Sequence, residues 1–458
     1  MMKIYICLGL LLVALSGCTK QQEWLDVKSN KADVVPTRLV DLQAVLDNDM
    51  DLNSAYPSLP VLSSDHYYLN YANWLGAVTV TERNAYLWNR EIYEGAPGYD
   101  WKNAYFRVAM ANVVLDGLTK MDADSQGQPL YNWVKGTALF HRSMAFYQLI
   151  QGFCLPFTQS NSTAMGIPLK VSSDVNETVF RASLAESYHR VLEDLQLASQ
   201  LLPVSVKVKT RPSKQAALIL LAKVQLARQD YPAALATSEL AFKYPIELLD
   251  FNAIDGKIDF PFPSYQQGNK EVVFHASTTS LSLFRGDKMI VDPQLYQSYQ
   301  SGDLRQMLFY KQIVSGGIQF RGHYSGQNGI FFAGLGLNEL SLIKAESLAR
   351  MGDYLGAMTE LNRLLIKRFR TGTFVPLVAN TADQALRMVL LERQKELPFT
   401  GSVRWEDLKR LNTDPNFART ITRNLNGQQF ALAANDPRYV FPIPDNEIRL
   451  TKITPNER

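Results

Sequence analysis

The chain has 458 residues, 46% of them hydrophobic, and its 47 basic and 44 acidic residues leave a net charge of +3. A chain of this length can bury a large core and form two or three subdomains. The charges are nearly balanced and no basic run or stripe could follow a phosphate backbone, so we expect no nucleic-acid partner.

The N-terminus predicts an exported lipoprotein. A basic start at Lys3 is followed by the apolar run 4–15 and by the lipoprotein-type processing site Leu15-Ser16-Gly17-Cys18. A basic residue, a short apolar run and small residues before the cut together form an export signal. The run is also shorter than the about 20 apolar residues that a membrane span requires.

The mature chain is therefore expected to begin at a lipidated Cys18, after removal of a signal peptide at 1–17. Residues 18–29 are polar, as in a tether, and 30–458 would form a single domain. Multiple acyl chains on Cys18 would anchor the protein firmly to a membrane. Cys154 is then left without a possible disulfide partner, and we expect it to be a small buried hydrophobic residue.

Helix signals dominate the body of the chain. Apolar residues at steps of three and four predict an antiparallel helix pair within 103–152. Ser183 and Glu186 form a capping box at the start of a further helix, since each side chain can bond a free amide of the first turn. A second box, which begins at Thr381, opens a helix pair at 382–412.

An internal repeat relates residues 222–234 to residues 345–357. Both segments begin and end with alanine, and both contain an Asp-Tyr pair, Asp230-Tyr231 and Asp353-Tyr354. This is the pattern of tetratricopeptide helix pairs, in which small residues let two helices approach and the aspartate caps the second helix. The predicted fold is therefore mainly α, a tetratricopeptide-type helical repeat scaffold of about four helix pairs. They are expected near 103–152, 184–243, 339–370 and 382–412.

Two stretches without helical periodicity interrupt this scaffold. Residues 51–101 hold many Tyr and Trp residues among Asn, Ser and Gly, whereas residues 250–335 hold Phe and Tyr with abundant Gly and Pro but no Trp. We expect both to be irregular, aromatic-rich insertions of loops, short strands and small helices. Binding residues tend to lie in such segments, and we refer to them as the first and the second insertion.

The sequence contains none of the common catalytic motifs. Its five histidines are scattered without metal-ligand spacing, and there is neither a nucleophile elbow nor a phosphate-binding loop. Gly334-Leu335-Gly336 lacks the third glycine of a dinucleotide fingerprint. We therefore expect no metal and no cofactor. A glycosidase that brings two carboxylates together from distant segments is the alternative.

The C-terminal third carries the most specific motifs. Residues 392–399 (ERQKELPF) and 404–410 (RWEDLKR) together resemble the ERxxELxFEGxRWxDLxR signature of the SusD/RagB family of nutrient-uptake outer-membrane lipoproteins. Residues 436–448 (DPRYVFPIPDNEI) resemble its terminal YxFPIPxxEI element. The chain departs from the family pattern at 400–403 (TGSV), where a Glu-Gly turn is usual, and at its last residues.

The charged residues of this signature have a structural interpretation. A charge that is buried without a partner costs several kcal/mol, so closely spaced opposite charges are expected to pair. We predict a partly buried ion and cap network that fixes the last helices, rather than a catalytic set. Its members would be Glu392, Arg393, Glu396, Arg404 and Asp407.

The resemblance implies a binding function without enzymatic activity. A SusD-like protein would be lipid-anchored at the outer membrane, facing outward, where it would cover a TonB-dependent (SusC-like) barrel and deliver captured oligosaccharide to it. Aromatic rings would stack on the sugars, and amide or charged groups would bond their hydroxyls. The candidate ligand-binding residues are Tyr67, Tyr68, Tyr71, Asn73, Trp74, Arg321, His323 and Tyr324. The alternative for these residues is that they form the core of the irregular insertions.

Peptide capture is the competing function, because the family that the chain resembles includes members that bind peptides. A peptide site would rely on backbone hydrogen bonding in a roomy cavity rather than on stacking surfaces. The lack of Trp in the second insertion weakens the case for a carbohydrate. The transporter partner is the same in both alternatives.

Overall fold

The computed structural model describes residues 38–121, 127–245, 247–314 and 316–458. The expected signal peptide, Cys18 and the tether lie outside the described residues. The structure is mainly helical with short strands, which confirms the predicted fold class. In the described part of the chain, no helix is both long and apolar enough to cross a bilayer.

The helices, in chain order, are α1 Leu39–Leu46, α2 Asp49–Leu52, α3 Leu59–Ser63, α4 Tyr71–Leu75, α5 Val80–Tyr86, α6 Tyr99–Leu118, α7 Gln128–Phe153, α8 Leu184–Leu201, α9 Lys214–Ala227, α10 Tyr231–Ala241, α11 Pro293–Gln297, α12 Leu304–Phe309, α13 Leu337–Arg350, α14 Tyr354–Leu365, α15 Ala382–Glu396, α16 Val403–Leu411 and α17 Asp445–Thr451. The strands are β1 Tyr67–Tyr68, β2 Met165–Pro168, β3 Arg181–Ser183, β4 Val272–Phe274, β5 Ile290–Val291, β6 Tyr310–Gln312, β7 Ile318–Phe320, β8 Leu335–Gly336, β9 Ile421–Leu425 and β10 Gln428–Leu432. The strands pair in twos, as β1 with β5, β2 with β3, β4 with β8, β6 with β7 and β9 with β10.

The long helices form a continuous packed row. Helix α6 packs on α7, α7 on α8, α8 on α9, α9 on α10, α10 on α13, and α13 on both α14 and α15. Each helix thus buries its apolar face against the next, as in helical repeat proteins. Cys154, which follows α7, is 1% exposed and has no disulfide partner among the described residues, in agreement with its expected role as a small core residue.

The internal repeat corresponds to the helix pairs α9–α10 and α13–α14. Asp230 caps α10 by accepting from the amide of Ala233 at 3.3 Å, and Asp353 caps α14 by accepting from the amide of Gly356 at 2.8 Å. The alanines at both ends of the two repeat segments are fully buried at the helix contacts. The predicted capping box of Ser183 and Glu186 also forms at the start of α8.

The two insertions are irregular, as predicted, and they contact each other. Strand β1 of the first insertion pairs antiparallel with β5 of the second, with Tyr67 opposite Val291 and Tyr68 opposite Ile290. A second link joins the amide of Tyr56 to the carbonyl of Ser277 at 3.0 Å. Backbone hydrogen bonds therefore hold the insertions together beside the helical row.

A buried ion network connects the last helices to the second insertion. The guanidinium of Arg305 lies 2.7 Å from Asp303, 2.6 Å from Glu392 and 3.3 Å from Glu396. Arg368 binds the same Glu396 at 2.8 Å, and it binds Glu271, next to β4, at 2.7 Å. Glu396 is thus shared by two buried guanidinium groups.

A second part of the network lies between α13, α15 and α16. Arg393 bridges Glu339 at 3.1 Å and Asp407 at 2.9 Å, while Arg410 bridges Asp407 at 2.8 Å and Glu346 at 2.5 Å. Of the five predicted members, Arg393 and Asp407 pair with each other. The other three pair with residues outside the signature: Glu392 and Glu396 with Arg305, and Arg404 with Asp65 at 2.6 Å.

We predict that Arg368→Met destabilises the protein by about 3–5 kcal/mol, because it leaves Glu271 buried without a cation and leaves Glu396 with Arg305 alone. The matched control is Arg387→Met, which removes an exposed ion pair to Asp383 on α15, with both side chains more than half exposed. It should cost only about 0.3–0.5 kcal/mol. Urea unfolding measures both changes, and equal effects of the two variants would contradict the importance of the buried network.

Candidate ligand-binding site

The candidate site lies where the two insertions meet. Strand β1 leads into the short helix α4, which begins after Asn70; the side chain of Asn70 accepts from the amide of Asn73 at 2.7 Å. The side chain of Asn73 donates to the carbonyl of Lys288 in the second insertion at 3.0 Å. The indole of Trp74 donates to the carbonyl of Arg83 at 3.1 Å. Both insertion segments therefore fix the position and direction of α4.

Two aromatic rings stack on the surface of α4. The rings of Tyr71 and Trp74 are 5.8 Å apart between centroids with an angle of 26° between their planes. They are three residues apart, which places them on one face of the helix. Tyr71 is 44% exposed, and Trp74 is partly exposed. We call these two residues the aromatic pair.

A polar cleft of about 420 Å³ adjoins β1. Tyr68, which is 39% exposed, lies on its wall. The other walls come from the turn before β1, from the start of α11, from α15 and from the segment that leads into β9. The polar side chains among them are Asp65, Asp292, Gln294, Ser298, Gln394, Arg419, Thr420, Thr422 and Arg423.

The charges of the polar cleft are largely paired. Arg404 donates two hydrogen bonds to Asp65, at 2.6 and 2.7 Å, and Arg419 lies 3.1 Å from the same carboxylate. Burial alone would raise the pKa of Asp65, but the Arg404 guanidinium outweighs it and holds that pKa below its usual range. Burial, helped by Arg404, lowers the pKa of the neighbouring His66 to about 3. At neutral pH the cleft therefore presents an ionised Asp65, while the neutral His66 is buried behind it and accepts from the amide of Phe399 at 3.3 Å.

Arg423 holds the hairpin β9–β10 against the first insertion. Its guanidinium lies 3.8 Å from the ring centroid of Tyr86 and 4.5 Å from that of Trp88. It also donates to the carbonyls of Leu62 at 3.0 Å and Ser64 at 2.6 Å. These contacts attach a C-terminal hairpin to N-terminal segments and so close one side of the cleft.

The structure separates the eight sequence-predicted site residues into two groups. Tyr68, Tyr71, Asn73 and Trp74 lie together at the surface near the junction of the insertions. Tyr67 also lines the polar cleft, but its ring is almost fully buried and its hydroxyl donates to the carbonyl of Leu62 at 2.8 Å.

The three predicted residues of the second insertion are all buried. Arg321 donates to three backbone carbonyls, of Gly256, Ile258 and Met307, each at 2.8 Å. His323 bonds Ser325, and burial lowers its pKa to about 4. Tyr324 donates to Glu271 at 2.7 Å. For these three residues and for Tyr67, the contacts favour the alternative reading, in which such residues form the core of the insertions.

Sequence reasoning missed most of the polar cleft. Asp65 and Arg404 are 339 positions apart, and no local pattern links them. One available signal was the Asn426-Gly427 turn, which predicts a hairpin because both residues must adopt positive φ. Both do so, with φ of 49° and 79°, and β9 alternates buried and exposed residues before them. That signal would have identified the hairpin, although not its position beside β1.

No group of three or more His, Cys, Asp or Glu side chains suited to hold a metal ion is found among residues 38–121, 127–245, 247–314 and 316–458. The groups available at the site are aromatic rings, amides, hydroxyls and paired charges. Such groups can stack on a ligand and exchange hydrogen bonds with it.

Comparison with known proteins identifies the fold. Residues 23–226 match the SusD-like_3 family, described as starch-binding and associating with the outer membrane. No curated protein matches the sequence.

Several solved structures share the architecture. A protein described as sugar-binding from Bacteroides vulgatus is 20% identical, with a TM-score of 0.70 over 93% of this chain and 99% of its own. A SusD-like carbohydrate binding protein from the same species is 19% identical, with a TM-score of 0.70 over 91% and 97% of the two chains. A SusD superfamily protein from Bacteroides fragilis is 19% identical, with a TM-score of 0.72 over 92% and 99%.

These similarities agree with the motifs of the C-terminal third. The family match covers the N-terminal part of the chain, and the shared fold extends over more than nine-tenths of it. The chain therefore has the fold of these SusD-like structures, and residues 23–226 resemble the SusD-like_3 family.

Proposed function

We propose that this protein is an outer-membrane lipoprotein that binds carbohydrate at the cell surface and delivers it to a partner TonB-dependent transporter. The observation that carries the proposal is the aromatic pair on α4, the helix that follows β1, whose Tyr68 lines the polar cleft. The family described as starch-binding, which matches residues 23–226, supports the same ligand class.

The proposed recognition combines stacking with hydrogen bonding. The faces of sugar rings are apolar and would pack on the rings of Tyr71 and Trp74. The edges of the sugars carry hydroxyls, which donate and accept, and side-chain amides can do both. Gln294 and Gln394 line the polar cleft, and within the described residues their side chains make no hydrogen bond. They are therefore available to a ligand.

The carboxylates of the cleft support binding rather than hydrolysis. A glycosidase needs one carboxylic acid with a raised pKa that can protonate the leaving group. Asp65 has the opposite property, because Arg404 and Arg419 keep it ionised. Asp292 accepts from the amide of Leu295 at 3.1 Å as the cap of α11. Both groups are engaged in holding the walls of the cleft.

The attachment to the membrane and to the partner follows from the N-terminus and the scaffold. A lipidated Cys18 with a polar tether at 18–29 would anchor the domain while leaving it free to move over a barrel. The row of long helices offers an extended rigid surface for packing on that barrel, and the insertions would hold ligand above its mouth.

We predict that Tyr71→Ala and Trp74→Ala each weaken oligosaccharide binding by roughly threefold to tenfold, since an aromatic contact contributes about 0.5–1.5 kcal/mol. Phe180→Ala is the matched control, because this ring is 70% exposed but lies outside both insertions. Titration calorimetry with ligands chosen from a glycan array measures the affinities.

Three outcomes would count against this model. Peptide binding without any oligosaccharide signal would replace carbohydrate by peptide as the ligand. New reducing ends after incubation with polysaccharides would support an enzyme. If Phe180→Ala lost as much affinity as Trp74→Ala, the aromatic pair would not be part of the binding site.

We predict that Cys18→Ala abolishes retention at the cell surface and leaves ligand affinity unchanged, because the lipid anchors the protein and takes no part in the site. Cell fractionation and calorimetry measure the two properties. A parallel loss of binding would show that the N-terminal segment belongs to the folded domain.

We predict that the lipidated protein co-purifies with a large outer-membrane barrel in mild detergent, since a capture protein needs a route for its ligand across the membrane. Size-exclusion chromatography with mass spectrometry identifies the complex. Elution of the protein alone, with and without ligand, would contradict the transporter model.

A further inference from the structure

A second cavity, of about 440 Å³, lies on another side of the first insertion. It is enclosed by α3, by the start of α5, by residues 93–100 and by residues 279–285. Its walls are mostly apolar and include Leu59, Leu62, Val78, Tyr93 and Leu281. We call it the apolar cavity. Its volume lies within the range of about 300–1,000 Å³ of small-molecule sites.

The acidic groups in the wall of the apolar cavity are already engaged. The carboxylate of Asp100 accepts from the amides of Ser58 and Leu59 at 2.9–3.1 Å, and from the Ser58 hydroxyl at 3.2 Å. Despite these bonds, burial raises the pKa of Asp100 to about 6, as expected in apolar surroundings.

Glu82 is engaged in the same way. It accepts from the amide of Thr79 at 3.0 Å, from the hydroxyl of Ser282 at 2.8 Å and from the amide of Leu283 at 3.0 Å. Both carboxylates thus fix the walls, and neither is free to receive an ammonium group or a series of hydroxyls. The walls also hold hydroxyls, among them those of Thr81 and Thr279, but most of the exposed wall is apolar and suits an apolar ligand body better than a carbohydrate.

Arg285 supplies a cation at the rim. Its side chain is exposed, and its hydrogen bonds among the described residues are two donations to the Ser280 hydroxyl, at 3.0 and 3.1 Å. No carboxylate lies within salt-bridge distance of it in the described part of the chain. An anionic group on a ligand could therefore accept from this guanidinium.

We propose that the apolar cavity binds a small molecule with an aryl or branched alkyl body and one carboxylate. The body would occupy the space between Leu59, Val78 and Leu281, and the carboxylate would lie on Arg285 at the rim. This site is separate from the polar cleft and does not depend on the carbohydrate proposal. The same chemistry is found in free aromatic acids and at the C-terminus of a peptide that ends in an aromatic residue.

The test uses the full-length protein in a non-ionic detergent, with p-fluorophenylacetate as the probe and fluorine NMR as the measurement. We expect saturable broadening and a shift of the probe signal. Arg285→Gln should weaken this binding on the order of tenfold, because a charge-assisted hydrogen bond is lost. The neutral analogue, p-fluorophenethyl alcohol, should bind the wild type and Arg285→Gln with affinities within about twofold of each other.

Two variants fill the cavity from separate, partly exposed positions. Ala96→Trp and Thr81→Trp should each remove binding of both probes, whereas Val378→Trp, at an exposed position outside the cavity, should leave it unchanged. Thermal unfolding verifies that each variant is folded. The use of two positions keeps the test valid if one variant does not fold.

Competition identifies the source of the ligand. Displacement of the probe by phenylpropionate at lower concentration than by N-acetylphenylalanine would indicate a free aromatic acid, and the reverse order would indicate a peptide C-terminus. Absence of probe binding to the wild type, or binding that survives both filling variants, would overturn the proposal. If Arg285→Gln lost affinity equally for the charged and the neutral probe, Arg285 would not be the partner of the carboxylate.

Discussion

The structure depends on one shared carboxylate, that of Glu396. It receives Arg305 at 3.3 Å and Arg368 at 2.8 Å, and all three side chains are buried. Arg368 extends the same network to Glu271, which directly precedes β4 in the second insertion. Since each buried charge requires its partner, the end of α15 and the insertion can have only one relative position. The irregular segments are therefore placed by charge pairing as much as by apolar packing.

The position of the second insertion determines that of the first. Strand β5 pairs with β1, and Asn73 of α4 bonds Lys288 of the second insertion. The C-terminal signature adds Arg404, which binds Asp65 next to β1. These contacts fix the aromatic pair and the polar cleft relative to the helical scaffold, although the aromatic pair is not part of a long helix. A ligand site with such support is preorganised, which lowers the entropic cost of binding.

The sequence predicted those features that depend on local pattern. The caps at Ser183, Asp230 and Asp353, the mainly α scaffold and the charge network of the C-terminal signature all belong to this class. The candidate site was predicted only in part, because residue type does not tell whether an aromatic ring faces solvent or core. Tyr67 and Tyr68 show this most clearly. They are neighbours, but the alternation of β1 buries the first ring and exposes the second.

Asp65 and Arg404 are 339 positions apart, and this separation determines at which stage of folding the polar cleft can form. A chain that is synthesised from its N-terminus presents Asp65 long before Arg404, Arg419 and the hairpin β9–β10 are available. Contacts of such high sequence separation form late in folding, because a long loop must close first. The polar cleft therefore assembles only when almost the entire chain has folded, and truncated or nascent forms lack it. Ligand binding at the cleft would report on complete folding of the protein, not on the presence of its N-terminal half.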